Sequence, residues 1–295
     1  MSKLVAIDAG KFATKVITGN YENKVYFRTS CIEMDSPILS FDGKTYLIEF
    51  EGKSYLIGEG VNSFDFNVSK SKISHKLAIL LGCALLDVSE VNLVTGFPLS
   101  LYLNNEFRIA HIEYLRGNYE FKVNGKEKNI NINTIHVVPE TMGVVVTNAE
   151  NYIESLVGVI DVGGLNTNAC LYDKLRPIKS SGFTINEGGV MLFAKIKRAL
   201  NMKFGLNYQD YEIPHVIRKD DLKVNSIIND VINNHLANIF NECQRYNWNL
   251  SEIELIFTGG GSLLLDASKI KISKSAIWDN CYGFFRWGLI QCRNQ

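Results

Sequence analysis

The chain has 295 residues, which suits two domains of ordinary size, each able to bury its own core. Apolar residues make up 46% and charged residues 21%, globular values that exclude disorder. With 31 basic and 31 acidic side chains and no dense basic run, direct binding to nucleic acid is not expected, because such binding depends on Lys and Arg displacing counterions from phosphates.

The chain opens on an apolar strand, Leu4 to Ile7, that runs into Asp8, a turn around Gly10, Thr14 six residues after the Asp, and a second apolar run at Val16-Ile17. No basic start or long apolar segment of a signal peptide precedes it, and nowhere do eighteen uncharged apolar residues run together, so a soluble protein with no membrane contact is expected. Tyr21 to Lys24 reads as a turn and Val25 to Cys31 as a third strand; Thr45 to Ile57 reads as a small β insertion turning at Glu51-Gly52-Lys53. Gly58 to Asn67 is a polar loop. His75 to Asp87 carries Leu77, Leu80, Leu81, Ala84 and Leu85 at helical spacing, which is a core-packing stripe. Val91 to Thr95 is a buried strand ending at Gly96-Phe97-Pro98, and Asn104 to Leu115 suits a helix. Tyr119 to Val123 and Asn129 to Ile135 suit a hairpin around Asn124-Gly125. A further strand, Ile135 to Val138, ends in Pro139-Glu140-Thr141-Met142-Gly143.

Leu156 to Ile160 then runs into Asp161, a turn holding Gly163, Gly164 and Asn166, Thr167 six residues after the Asp, and the apolar run Ala169-Cys170-Leu171. This nearly copies the N-terminal pattern. One Asp-x-Gly turn is weak evidence, because such turns often only reverse the chain; two in the same register half a chain apart define two half-sites. Each presents backbone N–H groups to a polyphosphate, and the Asp at the strand end can hold Mg²⁺ through water. Gly182 to Gly189 opens a helix running through Leu200. Asp220 to Tyr246 is a strongly amphipathic helix with Val224, Ile227, Ile228, Val231, Ile232, Leu236, Ile239, Phe240 and Cys243 on one stripe, a face suited to packing on a sheet. Ile253 to Phe257 is a strand that meets Gly259-Gly260-Gly261, with a helix expected at Leu263 to Leu265. Three glycines there bring backbone close to something flat or anionic. Asn280 to Cys292 is a final short helix. The six cysteines lack Cys-x-x-Cys spacing and the five histidines are scattered, so no metal cluster is expected and the composition suits a reducing cytoplasm.

The order of Asp hairpin, strand plus Pro-Glu, Asp hairpin, and strand plus Gly-Gly-Gly resembles the actin-like ATPase superfamily of actins, heat-shock ATPase chaperones and sugar kinases. Within it, the chain is most similar to bacterial actins of the plasmid-segregating ParM and AlfA type. The resemblance implies an α/β, actin-like ATPase fold: two duplicated ribonuclease-H-like domains around a nucleotide cleft, with a reduced upper part of the second domain. The expected division is 1–147 with the C-terminal helix 280–295 in domain I, and 148–279 in domain II. Asp8, Gly10 and Lys15 match the first phosphate motif, whose Asp positions Mg²⁺ and whose Lys approaches the phosphates. Lys11 stands where the family often has Ser or Thr, so a second cation there could substitute for that contact. Asp161, Gly163, Gly164, Asn166 and Thr167 match the second phosphate motif, and Gly259, Gly260 and Gly261 the adenosine motif. Glu187 and Lys195 lie where the family contacts ribose and base. Glu140 matches the catalytic Glu that orients or deprotonates the attacking water, with Asp161 helping to hold that water; a plainer role for Glu140 is to favour the N-terminus of the helix it begins.

The implied function is a filament-forming bacterial actin that binds ATP or GTP with Mg²⁺, hydrolyses it, assembles with copies of itself, and moves plasmid DNA through a DNA-binding adaptor. Base identity is left open by the sequence. A small-molecule kinase of the same superfamily is the alternative; it needs an acceptor pocket with a general base, for which no convincing Asp stands in the first domain. A chaperone ATPase would need a separate substrate-binding domain after the final helix. The stretch Asp173 to Phe257 is short beside that of eukaryotic actin, so subunit contacts, twist and handedness of its own are expected for the filament.

Overall fold

The first apolar run becomes β1 (Lys3–Ala9), antiparallel to β2 (Ala13–Thr18), which pairs with β3 (Asn20–Arg28). There follow β4 (Cys31–Met34), β5 (Thr45–Phe50), β6 (Lys53–Gly58), α1 (Ile73–Leu85), β7 (Glu90–Phe97), α2 (Leu99–Tyr102) and α3 (Asn105–Leu115). After these come β8 (Gly117–Val123), β9 (Lys126–Pro139), α4 (Met142–Thr147), α5 (Ala149–Tyr152), β10 (Leu156–Val162), β11 (Thr167–Asp173), β12 (Arg176–Pro177) and β13 (Phe183–Ile185). The order closes with α6 (Gly189–Phe204), α7 (Ile213–Arg218), α8 (Leu222–Arg245), β14 (Glu254–Thr258) and α9 (Asp279–Arg293). The structure, a computed structural model, describes residues 2–35, 43–61, 63, 69–219 and 221–293. Among these, no helix is long and apolar enough to cross a membrane. The chain forms two compact units, residues 1–151 with 278–295, and residues 152–277.

In the first unit the described strands form one sheet in the order β3-β2-β1-β7-β9-β8-β5-β6-β4, with β1, β7 and β9 parallel. Both faces of its centre are covered, which is why those strands are continuous apolar runs rather than alternating ones. Side chains nevertheless sort by the two-residue period of a strand. Val5, Ile7, Val16, Leu93 and Val137 join the core under α1, whereas Ala6, Ile17, Val94 and Val138 join Cys281, Phe284 and Phe285 of α9 on the other face. In α1, Leu77, Leu80, Leu81 and Ala84 are buried as their spacing requires.

In the second unit the order is β12-β11-β10-β14, with β13 also paired to β11 and β14 parallel to β10. An antiparallel hairpin followed by a parallel neighbour is the pattern of β2-β1-β7 in the first unit, so the sheets carry the expected ribonuclease-H-like duplication. The α8 stripe packs on this core as its periodicity predicts: Ile228, Leu236, Ile239 and Cys243 are buried and Val224, Ile227, Val231, Ile232 and Phe240 partly so. All six cysteines are free.

Several local expectations are corrected. Tyr21 to Lys24 is not a turn; the chain reverses at Gly19 (φ +68°) and β3 already begins at Asn20. The β5–β6 hairpin is no separate insertion, because β5 pairs with β8 and extends the main sheet. The hairpin strand and the strand before Pro139 are one fourteen-residue β9, which pairs with β8 at its start and with β7 towards its end. The glycine turn leads into a 3-10 turn, Gly260–Leu264, instead of an α-helix. Of the loop expected at 58–67, residues 62 and 64–67 lie outside the described residues, as do position 220 of the long helix and 294–295 of the last.

Candidate functional site

In each unit the hairpin is closed by the same register. Asp8 faces Lys15 and Ala9 faces Thr14; Asp161 faces Asn168 and Val162 faces Thr167. Each Asp therefore stands one residue before the end of its strand, buried except at the turn, with 5% of Asp8 and 6% of Asp161 exposed. Their carboxylates are hard oxygen donors of the kind Mg²⁺ takes, one or two at a time, beside substrate phosphates and water. Among the described residues no three His, Cys, Asp or Glu side chains gather into a metal cluster.

In the first unit, Lys15 Nζ donates to Asp8 Oδ2 at 3.0 Å and lies over Gly10. A Cβ at Gly10 would come within 2.7 Å of the Ala13 carbonyl, so the turn closes only around glycine. Lys11 sits at the tip of this turn, half-buried. Beneath the hairpin, Cys281 Sγ of α9 donates towards the carbonyls of Ala6 and Lys15, and burial pushes its thiol far above the ordinary range, which makes it an inert core residue.

Glu140 follows β9 directly, and its N–H donates to the Phe97 carbonyl at 3.1 Å. Its carboxylate pairs with Lys70 Nζ, which also donates to the Ala9 carbonyl of the first hairpin at 2.7 Å. Glu140 stands one residue before Thr141, the N-cap of α4, and its carboxylate is engaged by a cation. Lys70 was not singled out from the sequence. It lies 70 residues from its carboxylate and has no local motif, so only the tertiary fold brings the pair together. His111 of α3, stacked on Phe97 with ring centroids 4.5 Å apart, holds the same segment through Ser71 Oγ, 2.9 Å from Nδ1.

In the second unit, the turn is braced from α6. The N–H groups of Gly189 and Val190 donate to the carbonyls of Gly163 (3.0 Å) and Gly164 (2.8 Å), so two of the helix's unpaired N-terminal donors are spent on the hairpin. Thr167 is fully buried and its hydroxyl donates to the Glu187 carbonyl at 2.6 Å. Asn166 and Gly163 close the turn backbone to backbone, at 2.9 Å. The glycine turn after β14 lies directly beside it. Gly259 adopts φ +80°, and a Cβ there would overlap Asp161 Oδ1 and the Val162 carbonyl. Gly261 packs against Gly163, whereas among the described residues a Cβ at Gly260 would meet only Ile277, 4.0 Å away.

Glu187 and Lys195 are brought together: Nζ donates to both carboxylate oxygens, at 2.8 and 2.6 Å. Asn238 donates to the same group at 3.4 Å, and His235 Nδ1 lies 2.8 Å from Oε2 without the alignment of a hydrogen bond. Burial lowers the His235 pKa and the Lys195 charge adds to this, while Glu187 opposes both. His235 and Asn238 belong to α8 and, like Lys70, had no sequence signal beyond helical position.

The duplicated hairpins sit in an actin-like fold, and residues 6–143 match the model of the N-terminal domain of actin-like proteins. More particularly, the chain is similar to ParM and Alp proteins. It is 26% identical to Alp12 in a filament structure, with 99% of each chain covered and a TM-score of 0.73. It resembles ParM in a 15-stranded filament from Clostridium botulinum at 17% identity, with 98% of this chain and 99% of that one covered and a TM-score of 0.74. Ta0583, an archaeal actin homologue of which one crystal structure is a complex with ADP, matches at 15% identity, with 99% and 100% covered and a TM-score of 0.83. A comparison with curated protein sequences finds no match.

Proposed function

We propose that this protein is a nucleotide-dependent, filament-forming actin that hydrolyses ATP or GTP and moves plasmid DNA through a DNA-binding adaptor. The observation that carries this reading is the Lys70–Glu140 pair fixed to the carbonyl of the first Asp hairpin, in a chain that repeats that hairpin in its second unit. Hydrolysis of a γ-phosphate asks little covalent help of a protein and much positioning and charge compensation. Lys11 and Lys15 supply cations to the phosphates, and the backbone amides at Gly10, Gly164 and Asn166 supply fixed donors, with Gly163 closing the second turn. Thr167 shapes the second turn from beneath. Asp8 and Asp161 hold Mg²⁺ through water, which would offset phosphate charge. Glu140 orients or deprotonates the attacking water, and Lys70 fixes that carboxylate relative to the hairpin. Gly259, Gly260 and Gly261 lie against adenosine or guanosine, with Glu187 and Lys195 towards ribose and base. Loss of the γ-phosphate removes contacts from both hairpins and shifts the population away from the assembling shape.

The test is light scattering and phosphate release on the purified protein with Mg²⁺ and ATP, then GTP, with negative-stain microscopy. The expected result is scattering that rises on nucleotide addition, fibres on the grid, and phosphate released afterwards. Glu140→Gln is expected to bind nucleotide and assemble while phosphate release falls by about 10²–10⁴-fold, the range of a lost general base. Release at the normal rate removes Glu140 from the chemistry. Nucleotide turnover without fibres, with the γ-phosphoryl group transferred to a hydroxylated acceptor instead of released as phosphate, would establish a kinase.

A further inference from the structure

We propose that Thr29 is a positioning residue for the phosphate-binding turn of the first hairpin; this rests on the nucleotide reading above. Thr29 lies just past β3, is 3% exposed, and reaches the turn three times. Its N–H donates to the Phe12 carbonyl at 3.1 Å, its hydroxyl donates to the Gly10 carbonyl at 2.6 Å, and its Oγ1 lies 2.8 Å from Thr14 Oγ1. A hydroxyl has one hydrogen. Since that of Thr29 goes to Gly10, Thr14 is the donor in the third contact.

The peptide group is planar and trans, so a carbonyl and the following N–H point in opposite directions. Tying the Gly10 and Phe12 carbonyls to Thr29 therefore turns the Lys11 and Ala13 N–H groups away from β3. The second unit ties down its turn by other means. There the Gly163 and Gly164 carbonyls are held by the Gly189 and Val190 N–H groups, which turns the amides of Gly164 and Leu165 the opposite way. Gly10 and Gly163 each stand two residues after their Asp, so the same peptide plane is fixed in both hairpins, once by a threonine side chain and once by a helix N-terminus. Preorganised amides bind an anion without a reorganisation cost, whereas a turn free to flip its peptides presents carbonyl oxygens part of the time.

Mg²⁺–ATP and Mg²⁺–GTP are titrated calorimetrically into the folded wild type and three variants. Thr29→Val, which keeps the shape and removes the hydroxyl, is expected to weaken binding of the preferred nucleotide about tenfold, the scale of one net hydrogen bond. Thr29→Ser keeps the hydroxyl and is expected to bind as wild type. Thr14→Val removes the donor that orients Thr29 and is expected to fall between them, which keeps the proposal testable if Thr29→Val does not fold. Wild-type affinity in Thr14→Val and in any folded Thr29→Val overturns it. So does a loss in Thr29→Ser as large as that in a valine variant, since packing would then be the cause. A wild type that binds neither nucleotide overturns the nucleotide reading itself.

Discussion

Lys70 and Glu140 have side chains only 4% and 9% exposed, so removing one strands the charge of the other in the interior. Lys70→Met is therefore expected to lower the unfolding free energy by about 3–5 kcal/mol, and Lys70→Met with Glu140→Gln by clearly less, measured by urea denaturation. Equal losses would mean the pair is not the cause. Gly260 supports the opposite kind of prediction. Among the described residues only Ile277, at the limit of contact, approaches the space of its missing Cβ, so Gly260→Ala should keep wild-type stability to within about 0.5 kcal/mol. Its nucleotide affinity should fall if the nucleoside packs there; unchanged binding would place the base elsewhere. At this scale Asp8 and Asp161 were legible because their surroundings repeat within the chain. Lys70, Thr29 and His235 were not, because each acts on a group far away in sequence.

Among the elements, α3 couples pH to the segment that carries Lys70. Burial, with the Lys70 charge adding to it, pushes the His111 pKa down to about 4. The unfolded value is about 6.5, so between the two the unfolded chain binds the extra proton. This contribution is complete above about pH 6.5 and is lost as pH falls towards 4, amounting to about 3 kcal/mol at most. Burial lowers the pKa of His136 and His235 in the same direction. Urea midpoints between pH 7 and pH 4.5 should fall more steeply for wild type than for His111→Phe, which keeps the stack on Phe97 and cannot be protonated; identical slopes would remove His111 as the cause. Helical and strand periods placed α1, α3 and α8 within a few residues. They did not reveal that β9 is one strand, because its start and its end serve different neighbours, β8 and β7, and carry different patterns.

For the whole molecule, equal numbers of acidic and basic residues disfavour direct binding to DNA. The purified protein should leave duplex DNA unshifted at physiological salt. A shift by the protein alone, steeply weakened by salt, would overturn this. Nucleotide at about 100 times its Kd should raise the unfolding free energy by about 2.7 kcal/mol, and the rises at equal concentrations of ATP and GTP compare the two affinities directly.

The sequence by itself determined the class of the protein. Hairpin, strand and helix periods are local, and the two Asp hairpins repeat in one order, so the α/β duplication and the actin-like resemblance could be read without coordinates. Only the tertiary structure decided which groups serve those hairpins: Lys70 between Ala9 and Glu140, Thr29 beneath Gly10, the first amides of α6 beneath Gly163 and Gly164, and His235 beside Glu187. A buried polar group must find a partner wherever the fold places one, and that partner's distance along the chain carries no signal.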